Sequence, residues 1–383
     1  MHRKLKICYI CEATGGGVRK NLLDLLFNID RKKFDIYLIY SSIRADDIFI
    51  DNLYNLDTIG VKLYKIDLVR SINILKNLKP FLKMKSIISD IKPDIVHCHS
   101  SIAGMYGRIA AFLNKVDNVI YTPHAYIMQN PEIGFLKNKV FNIIEKLLEK
   151  ITTKTINVSK GEKDFAINNR IGNLNKFVVV YNGINESHYT RNYIETKKLN
   201  LGFLKDDFII GTTVRMEKQK DPFTFVNIAL NLIKKYDNVK FVYIGDGELY
   251  NKVNELIKKN NVKDKIKLLG FRKDASDLVS IFDIYMITSL YEGMPYSLIE
   301  AISQSKPILA SDVIGNNEVV KNDFNGLLFE KKNIKQAVSF LDDMINDSNK
   351  LNMYANNSFK LFKEKFMLNS MLKNTEKVYL SNY

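Results

Sequence analysis

Tyr291-Glu292-Gly293-Met294-Pro295-Tyr296-Ser297-Leu298-Ile299-Glu300 sets two acids eight positions apart around a glycine, a proline and a serine. The apolar run Ile284-Tyr285-Met286-Ile287 just before it reads as a strand. Pro295 suits the first turn of a helix, where its missing N–H costs nothing. The segment is therefore strand, glycine turn and helix N-terminus, and the N–H groups of such a terminus make a ready anion site. Glu292 falls in the turn and Glu300 in the helix, so both can line one site at different depths. Taken alone, the spacing fits a solvated helix with two surface acids equally well.

The neighbouring strand ends favour a site. Arg215 and Lys220 follow the strand Phe208-Ile209-Ile210-Gly211-Thr212-Thr213-Val214, Gly245-Asp246-Gly247 follows Phe241-Val242-Tyr243-Ile244, and Gly270-Phe271-Arg272 follows Ile266-Lys267-Leu268-Leu269. Ligands of open α/β sheets bind outside the carboxyl ends of the strands. Two fixed cations beside a helix N-terminus suit a diphosphate. One acid can then accept from sugar hydroxyls near the anion and the other from a ribose. At the start of the chain, Gly16 and Gly17 follow the first strand, and without a Cβ they let backbone approach a ligand.

Short apolar strands alternate with helical stretches throughout, as in parallel α/β sheets. Strands are expected near 5–11, 34–40, 61–65, 94–97, 118–121, 154–158 and 177–180. A second set is expected near 208–214, 239–244, 266–269, 283–287, 307–310 and 326–329. The polar segment 183–205 shows no clear strand and joins the halves, and 366–383 is helical in pattern. A chain of 383 residues suits two doubly wound domains. The division expected is 1–185 with the C-terminal helix 366–383, and 200–365.

The composition is that of a globular protein, 46% hydrophobic and 26% charged. No stretch reaches the roughly 18 apolar residues that span a bilayer, and no cleavable leader is read before the first strand. Three cysteines make no disulfide framework. Cys8 and Cys11 lie three apart on a strand, point to opposite faces and read as core thiols. The net charge of +15 is uneven: residues 1–185 hold 28 Lys+Arg against 17 Asp+Glu, and the remainder 29 against 25. No zinc-finger or RNA-recognition pattern accompanies the basic half, so nucleic acid is set aside in favour of an anionic membrane face. In Ser71–Pro93, Lys76, Lys79, Lys83, Lys85 and Lys92 interleave with apolar residues, and Phe135–Lys150 is similar. Each reads either as a membrane-contacting segment or as an ordinary surface helix.

As a set these features resemble the retaining glycosyltransferases of family 4, which have the type B fold of two facing Rossmann-like domains. The resemblance spans nearly the whole chain. It rests on Gly15-Gly16-Gly17, Val96-His97-Cys98-His99-Ser100-Ser101-Ile102-Ala103-Gly104, Tyr121-Thr122-Pro123-His124, Asn157-Val158-Ser159 and Tyr181-Asn182-Gly183-Ile184-Asn185. It continues through Arg215 with Lys220, Gly245-Asp246-Gly247, Gly270-Phe271, the Glu292/Glu300 pair and Gly315 with Glu318. Asn185 stands where the family usually has Asp, Val18-Arg19 where it often has Ala-Glu, and Met216 where Leu is common. The wording of the His97–Gly104 and Tyr121–His124 stretches is most similar to bacterial capsule, exopolysaccharide and lipid-linked glycan transferases.

The resemblance implies transfer of a hexose-type sugar, with retention, from a nucleotide diphosphate donor to a lipid-linked or glycan acceptor, a UDP-sugar being favoured. The second domain would hold the donor and the first the acceptor, with the reaction in the cleft and the C-terminal helix crossing back to the first domain. The expected donor-binding residues are Gly16, Gly17, Arg215, Lys220, Gly245, Phe271, Arg272, Glu292, Gly293, Met294, Pro295, Tyr296 and Glu300. His124 would lie beside the transferred sugar, with His99 a second candidate on the acceptor side. His124, Arg215, Lys220 and Glu292 are the expected catalytic set. No Asp-x-Asp motif is present, so metal-independent action is expected, with charge stabilised by Arg215, Lys220 and helix dipoles. His97-x-His99 on a strand is not a tetrahedral cage and is not read as a metal site. The protein is expected in the cytoplasm, peripheral at the inner membrane face. A nucleotide-sugar epimerase of the same fold and a non-catalytic sugar-nucleotide or glycan-binding protein are the rival readings.

Overall fold

The computed structural model describes residues 3–71 and 74–381, with Ile74 by its backbone alone. Residues 72–73 and 382–383, which fall in the stretches 71–93 and 366–383 considered above, lie outside the described residues. The chain divides into two compact units, Met1–Asn182 with Leu368–Tyr383, and Gly183–Met367.

The first unit runs β1 (Leu5–Cys11), α1 (Gly16–Asn28), β2 (Phe34–Tyr40), α2 (Asp47–Thr58), β3 (Lys62–Lys65), α3 (Ile74–Ile91), β4 (Ile95–His99), α4 (Ser101–Leu113), β5 (Asn118–Thr122), α5 (Phe135–Lys150), β6 (Lys154–Asn157), α6 (Lys160–Asn168) and β7 (Phe177–Val179). The second runs α7 (Arg191–Asn200), β8 (Phe208–Thr213), α8 (Pro222–Leu232), β9 (Val239–Ile244), α9 (Tyr250–Lys259), β10 (Ile266–Gly270), α10 (Ala275–Leu278), β11 (Ile284–Ile287), α11 (Tyr296–Ser303), β12 (Ile308–Ser311), α12 (Asn316–Val319), β13 (Gly326–Phe329), α13 (Ile334–Asn346) and α14 (Ser348–Lys365). Helix α15 (Leu368–Leu380) then returns to the first unit.

Among the described residues the first sheet has seven strands in the order β3-β2-β1-β4-β5-β6-β7, and the second six in the order β10-β9-β8-β11-β12-β13. All their pairings are parallel. The near-continuous apolar strands follow from this, because a parallel sheet is covered on both faces. In β1, Cys8 and Ile10 join one core cluster while Ile7, Tyr9 and Cys11 join the other. Cys8 and Cys11 therefore do lie on opposite faces, and burial pushes both thiols up from their ordinary range. On the second cluster's face, α15 supplies Leu368, Met371, Leu372, Val378 and Tyr379.

The segment 183–205 is not a plain linker. It begins the second unit and contains α7, where the Thr190 side chain accepts from the Tyr193 N–H at 3.3 Å. None of α7 is buried, so the helix has no apolar stripe to announce it. Ile184 N–H donates to the Phe366 carbonyl at 3.0 Å, joining the two ends of this unit. Each sheet reverses its winding once, between β1 and β4 in the first unit and between β8 and β11 in the second, and these are the points where open α/β sheets bind ligands.

Candidate functional site

In the second unit the segments leaving β8 and β11 are bonded to each other. The Thr288 hydroxyl lies 2.9 Å from the carbonyls of both Lys220 and Asp221. Leu290 N–H donates to the Gln219 carbonyl at 2.8 Å, and Gln219 Nε2 donates to the Tyr291 carbonyl at 3.0 Å. This stitching seats the Lys220 ammonium against Glu292 Oε1 as an ion pair. Ser289 Oγ donates to the same oxygen at 2.6 Å. The two charged side chains keep only 14% and 6% of their exposure, so the pair is withdrawn from water. Its partners come from either side of the switch point, 72 residues apart in sequence.

The adjoining turns close in because glycines permit it. Gly245 has φ +146°, and a Cβ there would lie 2.0 Å from the Val214 carbonyl oxygen. Gly315 has φ +85°, and its Cβ would lie 2.4 Å from the Gly293 oxygen. Any side chain at either position would force backbone apart. Tyr243 OH donates to the Arg215 carbonyl at 3.3 Å and Met216 N–H to the Asp246 carbonyl at 2.9 Å, fixing the β8 turn to the β9 turn.

Arg215 is half exposed on this wall and pairs with Glu217 at 2.8 Å. Gly293, Met294, Pro295 and Tyr296 are buried in the turn that opens α11, and Glu300 is partly buried within that helix. Pro295 is the residue capping the helix, one position ahead of the first helical turn expected for it. Phe271 is half exposed after the edge strand β10. Arg272 beside it forks onto Asp274 at 2.8 and 2.9 Å, and Asp274 also takes Lys197 at 3.3 Å. Arg272 is thus ion-paired, as Arg215 is with Glu217 and Lys220 with Glu292.

Gly16, Gly17, His99 and His124 lie on the first unit. Gly16 opens α1, and its N–H donates to Asp46 Oδ2 at 3.1 Å, so a carboxylate already occupies that helix start. Gly17 is exposed one residue on. At α4 the buried carboxylate of Glu12 accepts from Ser100 Oγ and from the Ala103 N–H at 2.8 Å. His97 is structural: its Nδ1 meets the Tyr379 hydroxyl at 2.7 Å and its Nε2 the Thr122 hydroxyl at 2.8 Å. His99 Nδ1 and His124 Nε2 face each other at 2.9 Å. Loss of hydration pulls His97 and His124 down to about 3, and His99 well below its ordinary value. All three rings are therefore neutral at physiological pH. Among the described residues, no group of three or more His, Cys, Asp or Glu comes together to hold a metal ion.

Ser289, Thr288 and Gln219, which fix the ion pair, carried no sequence signal, since hydroxyls and amides at strand ends are common. Glu12 was missed for a similar reason, although an acid directly after an apolar strand and before a glycine run is a legible cue. Glu162, which accepts from the Ala125 N–H and holds the turn after His124, was hidden in an ordinary helix start.

Two parallel α/β units, each with a polar turn cluster at its switch point, define a two-unit α/β protein of the Rossmann-like class. The chain belongs to glycosyltransferase family 4 and is a retaining glycosyltransferase of the type B fold. The Glycosyltransferase Family 4 model matches residues 15–188, and the model of glycosyl transferases group 1 matches 194–361. The chain is 30% identical over 364 residues to the UDP-Gal:alpha-D-GlcNAc-diphosphoundecaprenol alpha-1,3-galactosyltransferase of Escherichia coli, across 93% of this chain and 92% of that one. It is 26% identical to the capsular polysaccharide biosynthesis glycosyltransferase CapM of Staphylococcus aureus, across 82% and 83%. The Anabaena protein HepE, solved in complex with UDP and glucose, superposes with a TM-score of 0.84 over 99% of this chain and 100% of that chain, at 19% identity. That last likeness is one of fold.

Proposed function

We propose that this protein transfers a hexose, galactose first among the candidates, from UDP to a sugar carried on a polyprenyl diphosphate. The second unit would bind the donor and the first the acceptor. The observation that carries this reading is the contrast between the two switch points. In the first unit the starts of α1 and α4 are taken by Asp46 and Glu12. In the second, two cations, Lys220 and Arg215, stand on the turn facing the start of α11, held there by Glu292 and Glu217. Cations at the second switch point suit a diphosphate, which supports placing the donor there. The relationship to the Escherichia coli galactosyltransferase supports the choice of sugar and acceptor.

In this reading the bond from the anomeric carbon to the diphosphate breaks, and Lys220 and Arg215 stabilise the charge that collects on the leaving group. The acceptor oxygen bonds to the anomeric carbon from the same face, and its proton passes to the departing phosphate. Glu292, held by Lys220 and Ser289, orients the sugar, and Glu300 takes the ribose. Protein cations fill the role that a divalent metal fills elsewhere, so the reaction needs none.

The acceptor class implies a membrane, and α5 has the surface for one. Its exposed residues are Phe135, Leu136, Lys137, Lys139, Val140, Ile143, Leu147 and Lys150. Leu136, Val140, Ile143 and Leu147 follow helical spacing, and the helix's two acids, Glu145 and Glu149, are buried. On α3, Leu75, Leu78 and Leu82 are exposed beside Lys76 and Lys79. The basic apolar stripe of α5, a helix without exposed acids, fits the inner face of an anionic bilayer. Among the described residues, no helix is long and apolar enough to cross a membrane.

The test is transfer from labelled UDP-galactose, UDP-glucose and UDP-N-acetylglucosamine to a GlcNAc-diphosphopolyprenyl acceptor. Acceptor-dependent glycolipid from UDP-galactose supports the reading. Free hexose released at the same rate without acceptor would point to the epimerase-type rival, and binding without turnover to the non-catalytic one.

A further inference from the structure

His99 ends β4 and is fully buried, whereas His124, after β5, is partly exposed. Their facing nitrogens are 2.9 Å apart, so between two neutral rings one donates and the other accepts. The other nitrogen of His99, Nε2, is buried with no hydrogen-bond partner. The ring of His97, whose centroid lies 4.1 Å from that of His99, cannot help, because both its nitrogens are engaged elsewhere. If His124 were the donor, His99 would carry its proton on Nε2, as a buried N–H with no acceptor. If His99 is the donor, Nε2 is left only a lone pair, the more tolerable orphan.

We infer that His99 is a positioning residue: it donates through Nδ1–H to His124 Nε2 and fixes His124 in the tautomer that carries its proton on Nδ1. The backbone supports the arrangement. His124 and Ala125 both adopt left-handed conformations, with φ of +55° and +85°. The buried Glu162 holds that corner through the N–H groups of Ala125 and Val158. The consequence rests on the reading of His124 as the group beside the transferred sugar. Its one lone pair is spent on His99, so it meets the substrate as an N–H donor. It cannot accept the acceptor's proton, which leaves that proton to the departing phosphate.

The experiment reads the tautomer directly. The chain has five histidines, so long-range ¹⁵N–¹H spectra of ring-labelled protein resolve them, with His124→Gln giving the assignment. The expected result is a proton on Nδ1 of His124, and a proton on Nε2 overturns the inference. His99→Asn keeps an amide donor near the place of Nδ1 and should keep the tautomer. His99→Asp offers only an acceptor. It should move the proton to Nε2 and lower kcat on the order of 10²-fold with little change in donor KM. An unchanged tautomer and turnover in His99→Asp would also overturn it. A tautomer that follows these substitutions in a protein that transfers no sugar would uphold the pairing and refute the catalytic reading of His124 instead.

Discussion

Replacing Lys220 with alanine should damage both chemistry and stability, and the two losses can be separated. At contact distance, with the effective dielectric of about 20 that suits protein sites, opposite charges attract by roughly 5 kcal/mol. Desolvation offsets much of this, and measured costs of breaking a buried pair run to about 3–5 kcal/mol, because one charge is left buried without a partner. With 14% and 6% of the two side chains still exposed, about 2–3 kcal/mol is the reasonable expectation. For a unit of this size that lowers the melting temperature by roughly 5–10 °C. Turnover should fall on the order of 10²-fold or more, through the lost charge at the leaving group.

The double variant Lys220→Ala/Glu292→Gln removes the stranded carboxylate. It should recover most of the melting temperature while staying as inactive as the single variant, since the amide cannot supply the missing cation. Calorimetry and a donor-turnover assay on the parent, two single variants and the double variant close the cycle. A Lys220→Ala protein that melts within about 1 °C of the parent would mean that the pair does not hold the two turns together. A double variant that regains turnover would refute the assignment of Lys220 to the leaving group.

Four further outcomes are expected. Transfer activity should survive EDTA, and complete loss with rescue by Mg²⁺ or Mn²⁺ would end the metal-independent reading. Glu300→Gln should weaken competition by free UDP while leaving the sugar preference intact, and unchanged competition would remove the ribose role. Leu136→Gln with Ile143→Gln should cut co-sedimentation with anionic vesicles about tenfold or more without changing the melting temperature, since both side chains are exposed and each buried apolar side chain contributes roughly 1.5–3 kcal/mol; binding indifferent to the change and to salt would move the membrane face elsewhere. Stability should fall from pH 7 to pH 5: His97, His99 and His124 stay neutral in the folded chain while the unfolded chain takes up their protons below about pH 6.5, which costs up to about 1.4 kcal/mol per pH unit for each. Glu149, whose carboxyl burial pushes up to about 7, opposes this because its contribution is lost as pH rises, so His97→Gln should flatten the urea-midpoint profile, and midpoints that rise toward pH 5 would contradict the buried neutral histidines.

The parallel sheets were legible because their strands are apolar on both faces, and that pattern depends on nothing outside each segment. Helix α7 was not, because it buries nothing and its cap rests on Thr190 alone. The site divides along the same line. Gly16 and Gly17 could be read as close-approach positions and Gly245 as a turn after a strand, with Glu292 and Lys220 as charges at strand ends. Their pairing could not, since it depends on β8 and β11 lying side by side, a fact of topology that joins residues 72 positions apart.

The same limit hid the acids of the first unit, and their effect is larger than that of any one side chain. Glycines after a first strand invite a phosphate-binding reading, and the backbone at Gly16 fits it. Yet Asp46, thirty residues on, already takes that N–H, and Glu12 takes the N-terminus of α4. Each carboxylate cancels the positive end of a helix that would otherwise attract an anion. In the proposed reading two sheets of like topology thereby differ: carboxylates stand at the helix starts of the first switch point, and Lys220 and Arg215 stand beside the start of α11 in the second. Asp46→Asn and Glu12→Gln should therefore relax the distinction, letting the first unit bind free UDP weakly where the parent binds it at one site. Isothermal titration with UDP would detect a second, low-affinity site, and a single unchanged site in the folded double variant would show that the carboxylates are not what keeps the first unit from binding the donor.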